Sequence, residues 1–147
     1  MKSVMKSRAS VLGILVVGII FFAAAGIGLC ADKGVYKMPP AGNYKKVSSL
    51  VALPDFIPGL GTLYVDPATL PAGPFLAYDR KGRLVSTVYM IPIKDIDAHK
   101  DFKALKVPHY KVDHVDMLFN AGHPGVPDPH YHIILWYVSP EKAAELK

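Results

Sequence analysis

Apolar residues are distributed in two different ways along this chain. Residues 11–31 form one uncharged, strongly apolar run, whereas the rest of the chain alternates short apolar stretches with prolines and charges. All thirteen prolines follow residue 38, which disfavours long helices and suits short strands joined by turns. Residues 62–65 (TLYV) read as a short strand stopped by Asp66-Pro67. Residues 74–79 and 83–91 read as a hairpin, with Gly82 in the left-handed position of the Arg80-Lys81-Gly82 turn. After Pro92 the period changes: Ile93, Ile96, Phe102 and Leu105 predict one surface helix over residues 94–106.

Residues 110–119 alternate as a strand, with Tyr110, Val112, His114, Asp116 and Leu118 on one face. The Gly- and Pro-rich residues 120–129 are a loop, and residues 130–138 (HYHIILWYV) are apolar enough for a central strand. Ser139 and Pro140 fit the N-cap and first position of a short closing helix. The expected fold class is α+β, mainly antiparallel β: a compact sheet or partly open barrel with one or two short helices.

Lys2, Lys6 and Arg8 before the apolar run give the layout of a secretory signal, and Ala23-Ala24-Ala25 offers a cleavage site. Twenty-one uncharged residues could equally span a bilayer as an uncleaved anchor. A lipoprotein reading at Cys30 is weakened by Leu29, where a small residue is usual. The expected organisation is a signal peptide or N-terminal membrane anchor at residues 1–31, a tether at 32–53 and a β-rich domain at 54–147. The expected location is periplasmic or extracellular, or anchored to the inner membrane by residues 11–31.

The chain carries 17 basic and 12 acidic side chains, a net charge of +5. Three of the basic residues lie in the export segment, so the remainder is only +2, which removes the main support for a nucleic-acid partner. A single Cys excludes an intramolecular disulfide, a four-Cys zinc site and a c-type haem attachment. There is no Gly-rich phosphate loop, and so no nucleotide is expected.

Candidate chemistry lies in the histidines. Four of the six, His114, His123, His130 and His132, fall within nineteen positions. His130 and His132 share one face of a strand, and imidazole suits Zn or Cu. If the last two strands pair about the loop, residues whose numbers sum to about 250 lie opposite. His114 is then ~13 Å along the strand from His132, too far to share an ion. The expected metal site is His130, His132 and His123 with Asp116, His114 joining only in another register. His99 and His109 read as surface residues.

Gly59-Leu60-Gly61, Tyr64-Val65-Asp66-Pro67, Gly73-Pro74-Phe75, Met90-Ile91-Pro92, Gly122-His123-Pro124 and Pro129-His130-Tyr131 resemble motifs of a family of small secreted bacterial β-rich domains of unknown function. That family's closing motif is Pro-His-aromatic-Asp-x-His; here His132 stands at the Asp position and Ile134 at the last His. The resemblance implies a compact exported domain, oligomeric in some settings, and no particular reaction.

Three functions follow as expectations. The first is an extracytoplasmic domain holding a transition metal. The second is a membrane-tethered structural or accessory subunit, in a homo-oligomer or a membrane complex, with no chemistry of its own. The third is a small metal-dependent hydrolase or lyase, with Asp116 or Asp128 as the acid near a metal-bound water.

Overall fold

The structure, a computed structural model, describes residues 34–147; the expected signal or anchor segment lies outside the described residues. Six strands form one open antiparallel sheet: β1 (Lys45–Lys46), β2 (Thr62–Val65), β3 (Phe75–Tyr78), β4 (Leu84–Pro92), β5 (His114–Asn120) and β6 (His130–Trp136). Their spatial order is β1-β2-β3-β4-β6-β5. Two five-residue helices complete it, α1 (Ile93–Asp97) and α2 (Pro140–Ala144). The fold is α+β with mainly antiparallel β, and the sheet does not close into a barrel. Among the described residues no helix is long and apolar enough to cross a membrane.

Strand β4 is the spine. Its β-branched and aromatic residues are buried along the whole length because both faces of the sheet are covered there. One face carries Val65, Phe75, Val88, Met90, Ile134 and Trp136, packed with Val47 and Leu146. The other carries Tyr64, Leu76, Tyr78 and Leu84, packed with Val35 and Tyr137. Tyr78 is fully buried and its hydroxyl donates to the Val35 carbonyl at 2.6 Å.

The segment expected as a tether is therefore packed over its described part. β1 pairs with β2, Val47 sits in the core, and Val35 covers the far face. The expected helix over 94–106 is also shorter, ending at Asp97, with His99 at φ 51° just beyond. Ile96 and Leu105 remain 41% and 40% exposed, so their periodic spacing never meets a core. A short helix without a buried face has little to hold it.

The hairpin between β3 and β4 has the expected turn, with Gly82 at φ 72°. Asp79 closes it. Its carboxylate accepts from Lys81 N and Arg83 N at 2.9 Å each and from Arg83 Nε at 2.8 Å. Partial burial pushes the carboxyl upward, but the bonds from Arg83 and Lys81 outweigh it and hold Asp79 below the usual carboxylate range. Asp79→Ala is expected to cost about 1–3 kcal/mol in a denaturant titration at neutral pH. Because the folded carboxyl is the stronger acid, its stabilisation is present above the unfolded value near 3.8 and fades as pH falls through the lower folded value. The difference between wild type and variant should therefore shrink in acid.

Candidate metal centre

Strand β6 lies between β4 and β5, which places its alternate side chains against both neighbours. The β5–β6 register pairs His114 with Trp136, Leu118 with His132 and Asn120 with His130, so each pair sums to 250. His130 and His132 thus project from the same face at the end of the sheet where Met90 and Pro92 lie opposite them on β4.

The third histidine comes from the loop between β5 and β6. His123 and Val126 exchange backbone hydrogen bonds at 2.9 and 3.0 Å around Pro124-Gly125. Pro at the second position and Gly125 at φ 89° in the third are the residues a type II turn requires. Gly122, at φ 123°, allows close approach to Pro127, whose carbonyl oxygen would lie 2.3 Å from an added Cβ. This tight loop brings the His123 ring to 5.0 Å from His130 and 5.7 Å from His132.

His123, His130 and His132 each offer a ring nitrogen, and all three nitrogens lie within 4.8 Å of one another. His130 Nε2 and His132 Nε2 are 3.0 Å apart. Two ligands of a tetrahedral zinc, with Zn–N near 2.0–2.1 Å, stand about 3.3 Å apart, so the observed spacing is close to a ligating one. His130 is fully buried, and its Nδ1 donates to the Asp128 carbonyl at 2.7 Å. His123 Nδ1 likewise donates to the Pro124 carbonyl at 3.0 Å. Both bonds leave Nε2 with its lone pair directed away from the backbone, an arrangement common for metal-ligating histidines. Burial, helped by the neighbouring His130 and His123, pushes the His132 imidazole down to about 4. It is neutral at pH 7, the state a metal requires.

Asp116 is not part of this group. It lies opposite Ile134, two pairs away from that of His132, and its Oδ2 accepts from Trp136 Nε1 at 2.8 Å. His114 is placed further along the strand, stacked on the Trp136 ring at 5.9 Å, with Nδ1 3.0 Å from Asp113. Of the expected ligand set the structure brings the three histidines together, while Asp116 is held by the indole N–H and His114 lies apart. Asp116→Asn is expected to leave zinc affinity within about twofold, as measured by calorimetry, while shifting Trp136 fluorescence.

Two features went unread in the sequence. Asn120, directly opposite His130, lines the same recess as His123 and His132. Its position follows from the rule that paired residues sum to about 250, but a single Asn carries no ligand pattern of its own. The second feature is an apolar cavity of about 280 Å³ that abuts the triad. Its far wall is made by Val47, Leu50, Val51 and Leu53, in the segment expected as a tether.

No protein-family model and no curated protein matches the chain. Among solved structures, the crystal structure of a hypothetical protein, TTHB210 from Thermus thermophilus, is similar. It is 47% identical, with a TM-score of 0.57, over 64% of this chain and 92% of that one. At that identity and coverage, the chain belongs to the same family as TTHB210.

Proposed function

We propose that this protein is an exported metal-binding domain that holds Zn or Cu through His123, His130 and His132. The observation that carries the reading is the convergence of three imidazole nitrogens within 4.8 Å, two of them at 3.0 Å. Two of the rings are oriented by backbone carbonyls. The two facing Nε2 atoms of His130 and His132 are within hydrogen-bond distance, and a metal held there would take the place of that contact. His123, on its loop, would be the third ligand.

Three protein ligands leave a fourth position open. Binding is favoured over metal-assisted hydrolysis because both candidate acids are engaged elsewhere. Asp116 accepts from Trp136, and the Asp128 carboxylate pairs with Lys94. Calorimetric titration with Zn²⁺ should give one site per chain, and His130→Ala/His132→Ala should give none. Equal heats from both proteins would sink the reading. The basic, then apolar, N-terminal layout supports export, which N-terminal sequencing of the native protein checks.

A second reading, a subunit of a homo-oligomer, is favoured by β5. It is an edge strand, and Val115, Met117, Leu118 and Phe119 on it are all more than half exposed. Unpaired apolar edges are templates for strand addition. Antiparallel pairing of β5 with β5 of a second copy would give a two-fold contact. Light scattering should then show a multiple of the chain mass that Phe119→Lys reduces. A monomer in both would end this reading.

A further inference from the structure

The cavity beside the triad has a polarity that points to a ligand. Its walls are aliphatic and aromatic almost throughout, from the β2–β4 face of the sheet and from the strap of residues 47–60 that covers it. Its polar side chains, Asn120, His123 and His132, come from β5, β6 and the loop between them. Among the described residues no Lys, Arg, Asp or Glu lines it. Gly125 keeps the loop against the strap, since an added Cβ there would lie 2.8 Å from Val51 Cγ1.

We infer that the cavity is the tail pocket of a small amphiphilic carboxylate whose head group takes the open position on the triad's metal. The inference rests on the metal reading above and adds to it the class of ligand. A dry apolar cavity of about 150 Å³ accommodates benzene, so 280 Å³ has room for a hydrocarbon of about eight to ten carbons. A pocket with one polar end and no charged lining selects a molecule with one polar end. Among the described residues an anionic head has no cation to meet there, so the metal is its counter-charge. Carboxylate binding is therefore metal-dependent, because an unpaired charge is costly to bury.

The test uses the full chain with Zn²⁺ binding measured first, then sodium octanoate and sodium acetate titrated into zinc-loaded and zinc-free protein. Octanoate should bind the zinc-loaded protein at least a hundredfold more tightly than acetate does, because each buried methylene adds to affinity. The zinc-free protein should bind it at least tenfold more weakly. Leu63→Trp on β2 and, separately, Leu60→Trp on the strap fill the cavity without touching a histidine. Each should abolish the preference for octanoate while zinc binding persists. Zinc binding with equal affinity for octanoate and acetate overturns the tail pocket alone. Octanoate binding that ignores zinc overturns the head-group assignment. Absence of zinc binding overturns both the metal reading and this inference.

Discussion

Replacing His130 by alanine is expected to weaken zinc binding by more than a hundredfold. Changing a residue that only orients a ligand already costs about 10–100-fold, and His130 is the buried member of the triad, fixed by the Asp128 carbonyl at 2.7 Å. The same change empties a fully buried position, so stability falls as well. His132→Ala separates the two effects. His132 is less deeply buried, and its replacement should lower zinc affinity comparably with a smaller loss of stability. Calorimetry for affinity and thermal unfolding in the presence of chelator for stability read the two quantities independently. Unchanged affinity in both variants would exclude the triad as the site.

The second large effect is expected at a residue that touches no ligand. Gly122→Ala places a Cβ 2.3 Å from the Pro127 oxygen at a backbone position of φ 123°, where L side chains are strained. The loop must shift, and His123 shifts with it. We expect a loss of about 1–3 kcal/mol in stability and at least a tenfold fall in zinc affinity. Gly42→Ala is the control. Gly42 also has a positive φ, 91°, but its Cβ would meet nothing within 4 Å and it lies away from the triad. It should cost stability without changing zinc affinity. A Gly122→Ala protein that binds zinc like wild type would show that loop position does not matter to the site.

The strands and much of the candidate site were legible because they rest on local rules. Alternation and β-branched content marked β4 and β6, Gly82 marked the hairpin, and the loop length set the β5–β6 register. That register put His130 and His132 on one face and His114 out of reach. What it could not reveal was competition between side chains. Asp116 lies on the right face, but Trp136 sits two pairs further along β6 and its indole N–H takes the carboxylate.

The length of the helix and the packing of residues 34–53 were less legible, for a related reason. Ile93, Ile96, Phe102 and Leu105 have helical spacing, yet whether a face is buried depends on the tertiary neighbours it meets. Here the chain turns away at His99 and leaves Ile96 exposed. Residues 34–53 are polar and Pro-broken in composition, but Val35 and Val47 are enough to fasten them to opposite faces of the sheet. A cavity wall assembled from such a segment has no periodic signature.

The most direct measurement is zinc K-edge absorption, with elemental analysis, on untagged full-length protein loaded with one equivalent of Zn²⁺ and desalted. Convergence of His123, His130 and His132 requires one zinc per chain, with three nitrogen ligands at about 2.0–2.1 Å that carry the multiple-scattering pattern of imidazole. Failure to retain zinc, or an all-oxygen shell that the His130→Ala/His132→Ala protein reproduces, would contradict it.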